Sequence, residues 1–489
     1  MSQNTRDRRD FLKQSLAAAA GVGMSQFLIG ERYKSAKGLM HRSNVLFVSV
    51  DDLNDWLGHL GNYPGVKTPN FDRLAAKGVS FARAFCNAPM CVPSRGSTLY
   101  GVHPLVSGMN GGDKLHTDIP LFSGLKSLPH LFREAGYVTL GGGKIFHGDY
   151  DYSKNPATWN PKSFEPSAWT QNFVNFGSEP MLNPHEGVEG SLSWGKWDSL
   201  VTEANTPDMQ LAQWAAARLQ EPSAQPFFMG VGFYRPHLPW FVPKRFLDLY
   251  PLDNIVIPNV PIDDLDDIPT PGLYLASPAT DHEKILKAGK WKHAIQAYLA
   301  SISFADHCFG IVLDALERGP HAGNTVVVLW GDHGWHLGEK LSWRKFKLWE
   351  RSLRVPLIFA GADTARGNIS PEIVGLGDLS ATLLETCLGI QPPREEQRSE
   401  VRSFAPLLMR PRLAWNGQSV SVWRTETGLH KTLRTDKWRY IRYGDIARSE
   451  ELYDHENDPN EWENLLSPRC ETIDAALAPI VSGFRARLT

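Results

Sequence analysis

The chain has 489 residues, 42% hydrophobic and 21% charged, a composition that supports a large folded core and excludes disordered and fibrous classes. Lys and Arg total 51 against 53 Asp and Glu, a formal net charge of -2, so no global positive field is available to hold a polyanion and nucleic acid is not an expected partner. Five cysteines in a chain of this length make no disulfide framework, and their odd number leaves at least one thiol unpaired or chemically used.

At the N-terminus, Arg8-Arg9-Asp10-Phe11-Leu12-Lys13 precedes a weakly apolar run from Leu16 to Ile29, a charged segment followed by an apolar one in the order of a signal sequence. The paired arginines followed by Phe-Leu-Lys resemble a twin-arginine signal over residues 1–37, which implies the Tat export machinery as a partner and a periplasmic or secreted destination. Asp7 stands where such signals usually carry Ser or Thr. No stretch reaches the ~18 consecutive apolar residues that cross a bilayer, so no membrane span is expected in the mature chain.

The run N-V-L-F-V-S-V at Asn44–Val50 is nearly continuous and rich in β-branched residues, the pattern of a parallel strand buried on both faces. It ends in Asp51-Asp52, and ligands of open α/β sheets bind beyond the carboxyl ends of strands. Helices are expected over 68–77 and 128–135, and strands over 227–233, 324–330 and 355–360. The strand over 324–330 repeats the first, ending in Gly331-Asp332-His333-Gly334. Such alternation predicts an α/β fold with a large mixed, mostly parallel sheet flanked by helices. Residues 141–203 are rich in Gly, Pro, Asn, Ser and Trp and are expected to form long loops walling a pocket. Asp263, Asp264, Asp266 and Asp267 read as a solvated loop, with sugar or cation contact as the alternative. Pro392-Pro393 and the charged residues after them approach a boundary, giving a large N-terminal domain over 38–410 and a smaller α+β domain over 411–489. In that second unit, strands are expected over 419–424, 431–434 and 438–443, then the turn E-N-D-P-N-E and a final helix.

The most specific signal is Cys91-Val92-Pro93-Ser94-Arg95, followed by Gly96-Ser97-Thr98-Leu99-Tyr100-Gly101. Alone, it is also compatible with an inert buried cysteine in a Pro-Ser turn. The string resembles the C-x-P-S-R signature of the type I sulfatases of the alkaline phosphatase superfamily. In that family a formylglycine-generating maturation enzyme oxidises the cysteine to Cα-formylglycine, whose hydrated aldehyde is the nucleophile. One hydroxyl of the geminal diol attacks sulfur, and deprotonation of the other expels sulfate and regenerates the aldehyde. A plain Ser or Cys would instead be trapped as an ester that water must attack at a crowded sulfur.

The resemblance covers the chain from residue 44 to about 465 and implies roles for further residues. Asp51, Asp52, Asp332 and His333, with modified Cys91, would hold one Ca²⁺. Three carboxylates suit a hard cation, whereas imidazole suits softer ones. Many family members carry Asn where His333 stands, and the Asp-His form is similar to the iduronate-2-sulfatase and choline sulfatase group. Arg95 would hold the diol, and Gly143-Lys144-Ile145-Phe146-His147 is similar to a family element whose Lys and His contact sulfate and formylglycine. His237, in Tyr234-Arg235-Pro236-His237-Leu238-Pro239, matches a histidine near the leaving-group oxygen, and Lys345 matches a second active-site lysine. His237 or Lys345 would protonate the departing oxygen, Lys144 and Lys345 would stabilise sulfuryl charge, and His147 would handle the formylglycine hydroxyl.

The segments R-T-D-K-W-R-Y-I-R-Y and E-L-Y-D-H-E-N-D-P are similar to the C-terminal domain of the iduronate-2-sulfatase-like group. Trp240 and Phe241 would either form an aromatic wall for a sugar or pack between loops, and Cys86, Cys308, Cys387 and Cys470 read as packing residues. The function implied is hydrolysis of a sulfate ester on a sugar or uronate of a sulfated polysaccharide, with that saccharide as partner. A formylglycine-dependent phosphonate or phosphodiester hydrolase and a catalytically inactive carbohydrate-binding relative are the alternatives.

Overall fold

The computed structural model describes residues 43–111, 118–147, 166–171, 173–176, 186–197, 202–390, 401–446, 449–469 and 472–488. Residues 1–37, much of 141–203 and Cys470 lie outside them.

Asn44–Val50 is buried at every position and occupies the middle of the main sheet. It runs parallel to Phe227–Phe233 on one side and to Thr325–Gly331 on the other, and Val138–Gly143 extends the parallel set beyond Phe227–Phe233. Past Thr325–Gly331, Leu357–Ala360 runs antiparallel between it and Gly78–Phe85, and Asn368–Gly375 lies parallel to Gly78–Phe85. The sheet is therefore mixed and mostly parallel. The strand expected over 355–360 is divided at Pro356 into Arg354–Val355 and Leu357–Ala360. Proline has no N–H to give to a ladder, so pairing breaks there.

Alternation along the central strand sends successive side chains to opposite faces. Leu46, Val48 and Val50 pack with helices Pro69–Ala76, Pro207–Leu219 and Trp291–Arg318, and Val45 and Phe47 with helices Cys91–Tyr100, Leu128–Glu134 and Asp378–Leu388. Helix Trp291–Arg318 has 28 residues and is long and apolar enough to cross a bilayer, but 78% of its most apolar window is buried inside the fold. Trp240 and Phe241 are also buried, with Trp240 Nε1 donating to Pro236 O at 2.7 Å. They belong to strand Trp240–Val242, paired with Trp194–Lys196, and pack into the core, Trp240 against Tyr298 of helix Trp291–Arg318, so they neither wall a sugar site nor sit between loops.

The C-terminal sheet is an antiparallel meander of Ser419–Thr425, Gly428–Arg434, Trp438–Tyr443 and Glu450–Asp454, one strand more than expected. Helix Ala478–Leu488 covers one face through Val481, Phe484 and Leu488. The other face packs Trp423, Ile441 and Tyr443 against Leu348, Trp349 and Ile268 of the main body. The acidic loop belongs to this junction and is not simply solvated. Asp264 is buried 2.8 Å from Lys340 Nζ, and Asp267 accepts the Asn464 N–H at 2.6 Å, while Asp263 and Asp266 face water.

The buried guanidinium of Arg439 joins the two units ionically, with Nε 2.5 Å from Glu461 Oε1 and a second nitrogen on Glu350 Oε2. Glu461 also accepts the Glu350 N–H at 2.8 Å. Arg439→Met would leave two buried carboxylates without this partner, and breaking such a pair costs about 3–5 kcal/mol. An unfolding free energy lowered by that amount, read as a lower denaturant midpoint at unchanged slope, is the expected result; an unchanged midpoint would show that Arg434 and His455 suffice.

Candidate active site

The two central strands deliver their carboxylates side by side. Asp51 and Asp52 follow Asn44–Val50, Asp332 and His333 follow Thr325–Gly331, and the Asp52 N–H donates to Asp332 Oδ1 at 3.0 Å. Asp52 holds a left-handed backbone, φ 56°, and its carbonyl accepts the Tyr298 hydroxyl at 2.7 Å. Lys144 arrives from the parallel strand Val138–Gly143, two places from Asn44–Val50 in the sheet, after Gly143, φ 70°, where a Cβ would lie 2.2 Å from Gly232 O, so only glycine fits.

Cys91 opens helix Cys91–Tyr100, in which every residue is buried. Its Sγ lies 3.1 Å from Lys345 Nζ, 3.2 Å from His333 Nε2 and 3.8 Å from Lys144 Nζ. One turn on, Arg95 ties the carboxylates together, with Nε 2.9 Å from Asp332 Oδ2 and a terminal nitrogen 3.1 Å from Asp51 Oδ1. The Lys144 ammonium sits on Asp51, and Lys345 Nζ is 2.6 Å from Asp52 Oδ1. His237 Nε2 approaches Asp52 Oδ2 at 3.8 Å. The structure thus gathers Cys91, Arg95, Lys144, His237, Lys345, Asp51, Asp52, Asp332 and His333 into one cluster. His147 is half-buried three residues beyond Lys144.

Crowding of charge at low exposure sets the protonation states. Burial lifts the Asp52 carboxyl to about 7, with Asp51 and Asp332 adding to the rise and Lys345 opposing it. Burial likewise lifts Asp332 to about 6 against the pull of Arg95. At Asp51 burial also pushes upward, but Lys144 foremost, with Arg95 and Lys345, holds it well below the usual carboxylate range. Burial and Asp51 push the Cys91 thiol up to about 12 despite the two lysines, so the unmodified side chain stays a thiol near neutral pH and is a poor nucleophile. Burial first, with nearby lysines, holds His147, His237 and His333 neutral.

Two histidine tautomers follow from backbone contacts, because a carbonyl only accepts. His333 Nδ1 donates to Gly334 O at 3.1 Å, and His237 Nδ1 donates to Leu238 O at 2.6 Å. The unprotonated Nε2 of His333 therefore faces Asp52 Oδ1 at 3.2 Å, lone pair toward lone pair. Asp52 Oδ2 is buried with no hydrogen-bond partner among the described residues. Donor atoms of Asp51, Cys91, Asp332 and His333 all lie within 4.8 Å of one another, as do those of Asp51, Asp52, Cys91 and His237. Converging lone pairs with an orphaned carboxylate oxygen fit a divalent cation. Glu350, His455 and Glu461 also lie within 4.8 Å of one another, but Arg434 and Arg439 already neutralise them.

Sequence reasoning missed the residues that hold this cluster in place. Ser49 Oγ donates to Lys144 O at 2.8 Å and faces Arg95 at 3.2 Å. Its signal was a hydroxyl inside an otherwise apolar buried strand. Asp208 accepts the N–H groups of Tyr234 and Arg235 at 2.7 and 2.9 Å, fixing the turn that carries His237. Nothing around Asp208 in the sequence points to that contact.

The profile of the sulfatase family matches residues 43–390. The chain belongs to the sulfatase family. It shares that family's enzyme class, the sulfuric ester hydrolases. A second profile, the C-terminal part of N-sulphoglucosamine sulphohydrolase, matches residues 331–481 of this sulfatase. A sulfatase of Formosa agariphila is 36% identical over 442 residues, 88% of this chain and 84% of the relative. An iduronate 2-sulfatase of Mus musculus is 32% identical over 346 residues, 64% of this chain and 58% of the relative. The solved phosphonate monoester hydrolase of Agrobacterium radiobacter superposes with a TM-score of 0.73 at 19% identity, over 91% of this chain and 95% of that one. The sulfatase therefore has the alkaline phosphatase-like fold, with its smaller C-terminal sheet.

Proposed function

We propose that this sulfatase cleaves a sulfate ester on a sugar or uronate of a sulfated polysaccharide, with residue 91 as formylglycine and one Ca²⁺ held by Asp51, Asp52, Asp332, His333 and residue 91. The observation that carries the reading is the position of Cys91, buried at a helix start and encircled by three cations and three carboxylates. The relative named iduronate 2-sulfatase supports the saccharide. The paired arginines support export through the twin-arginine machinery to the periplasm or beyond.

A formylglycine at 91 supplies a geminal diol, one hydroxyl for attack on sulfur and one for release of sulfate. A divalent cation supplies positive charge beside a sulfuryl oxygen. The chain's own residues do the rest. Arg95 keeps Asp51 and Asp332 turned inward. Burial works against the charge of Lys345, but the carboxylates, Asp52 foremost, outweigh it and hold the ammonium well above its usual range. Asp51 does the same for Lys144. Both lysines therefore act as fixed cations for the sulfuryl oxygens. His237 has Nδ1–H committed to Leu238 and is held neutral in the free site, so it can deliver a proton to the leaving oxygen from Nε2 only after taking one up as the anionic ester binds beside it. His147 serves the hydroxyl at 91.

Arg95, Lys144 and Lys345 balance the three carboxylates, so a divalent cation leaves two positive charges for the substrate and its nucleophile. A sulfate monoester brings one negative charge, and a phosphate monoester brings about two near neutral pH. With sulfate and phosphate monoesters of one alcohol, kcat/KM is expected to be at least about 100-fold higher for sulfate, a difference of about 2.7 kcal/mol in transition-state binding; the phosphonate monoester, which like the sulfate ester carries one negative charge, is compared beside them as the test of the alternative. Faster cleavage of the phosphonate than of the sulfate would replace this reading with a phosphonate hydrolase, and no turnover of any ester by protein carrying formylglycine would leave a binding protein.

A further inference from the structure

The loop that delivers Lys345 is held in an unusual backbone. Of the seven non-glycine residues with positive φ among the described residues, four fall here: Lys340 at 54°, Leu341 at 44°, Arg344 at 67° and Phe346 at 77°. Side chains with a Cβ avoid this region, and such residues persist only where their surroundings over-determine them. Arg344 and Phe346 flank Lys345 directly.

Several contacts moor the loop from outside. Lys340 Nζ reaches Asp264 Oδ1 at 2.8 Å, Ser342 Oγ donates to Ala276 O at 2.8 Å, and Arg344 grips Asp281 through two bonds of 2.7 and 3.0 Å. These contacts use side chains and leave the peptide carbonyls beside the two left-handed residues to another group. That group is the Lys347 side chain, whose Nζ donates to Lys345 O at 2.9 Å and to Trp343 O. Two carbonyls two residues apart thus turn inward onto one nitrogen. Lys347 is only 6% exposed and makes no ion pair among the described residues. Burial pulls its ammonium down to about 7, with Asp281 opposing the shift and Arg344 adding to it. A lysine held in the interior without a carboxylate partner has no role in the proposed chemistry at 91, and its only described hydrogen bonds fix the chain around Lys345.

We infer that Lys347 is a positioning residue for Lys345, its side-chain nitrogen donating from the interior to the carbonyls of Trp343 and Lys345 and so aiming the Lys345 side chain at Asp52 and residue 91. The inference rests on the proposed role of Lys345 in sulfate-ester cleavage. Without the grip, the flanking left-handed residues relax toward ordinary φ values, and Lys345 leaves the backbone in another direction.

The test is a double-mutant cycle on protein produced with a formylglycine-generating enzyme, with the modification at 91 quantified by peptide mass spectrometry for each variant. Single-turnover rates on an aryl sulfate, with enzyme in excess, are compared for the wild type, Lys347→Met, Lys347→Arg, Lys345→Ala and the double variant Lys345→Ala/Lys347→Met. Lys347→Met is expected to lose about 10- to 100-fold in rate at unchanged modification, the scale of a misplacement near 1 Å. Lys347→Arg should recover most of that loss, and the double variant should be no slower than Lys345→Ala. A wild-type rate in Lys347→Met overturns the inference. So does a double variant that multiplies the two separate losses, because a merely structural lysine would act in both backgrounds. If Lys347→Met does not fold, Lys347→Gln takes its place in the same cycle. A wild type inert on sulfate esters but active on a phosphonate monoester would defeat the functional reading alone, and the cycle is then read on that ester.

Discussion

Cys91→Ala is expected to abolish sulfate-ester turnover, with kcat reduced by at least about 10⁴-fold, as when other covalent nucleophiles are removed. The loss should come without a loss of fold. The helix that Cys91 opens is anchored by Val92, Leu99 and Tyr100 in the core and by Arg95 on two carboxylates, and none of those contacts uses the sulfur. Any residual rate would report the ammonium groups of Lys144 and Lys345 acting on a bound ester. Cys91→Ser separates the two halves of the chemistry. A serine hydroxyl can attack sulfur, expelling the alcohol, but it has no second hydroxyl to drive release. It should therefore take up one sulfuryl group and stop, visible as a stable mass increase on the peptide. Turnover by Cys91→Ala at the wild-type rate would remove residue 91 from the mechanism.

Removing divalent cations is expected to lower activity and stability together, and Ca²⁺ should restore both. Ligand present at 100 to 1,000 times its dissociation constant stabilises the folded state by about 2.7 to 4.1 kcal/mol. Asp52→Asn and Asp332→Asn should shrink that gain, because each removes a buried carboxylate facing the same space. The effect has a defined dependence on pH. Burial first, and the neighbouring carboxylates with it, lift Asp52 to about 7 and Asp332 to about 6 from the ordinary value of 3.8. Both groups hold protons more readily folded than unfolded, so their contribution to the stability of the cation-free protein falls as pH rises from about 4 to about 7. Bound cation displaces those protons and is itself displaced as pH drops. The rise in melting temperature on adding Ca²⁺ should therefore be larger at pH 8 than at pH 5.5. A melting temperature indifferent to chelator and Ca²⁺ at both pH values would remove the metal from the site.

The strands that build the site were legible because each is a short apolar run with polar residues at its end. Asn44–Val50 and Phe227–Phe233 fall where the sequence places them, and Thr325–Gly331 is displaced by one residue. Both faces of those strands are covered, so hydrophobicity alone marks them. Gly78–Phe85 and Asn368–Gly375 were not expected, since polar residues interrupt both and their pairing with each other is set by the fold. The acidic loop was misjudged because the partners that draw Asp264 and Asp267 inward, Lys340 and Asn464, are remote in sequence. The same distance hid Asp208 and Tyr298. Residues that meet the reacting groups are marked by local motifs, whereas residues that aim them are distributed through the chain and carry no local pattern.

Helix Cys91–Tyr100 has no exposed residue, and its first side chain is enclosed by groups from both central strand ends and from the loop that carries Lys345. A second protein cannot take this segment into its own catalytic cleft without undoing the centre of the sheet assembly. On the proposed chemistry, an enzyme that oxidised Cys91 would therefore have to meet a chain that has not finished folding, and the share of molecules that become active would be decided by a race between two rates. Substitutions that speed closure of the core around residue 91 would yield more protein that is correctly folded and permanently silent. In this sulfatase, stability and specific activity would part company at the moment of synthesis.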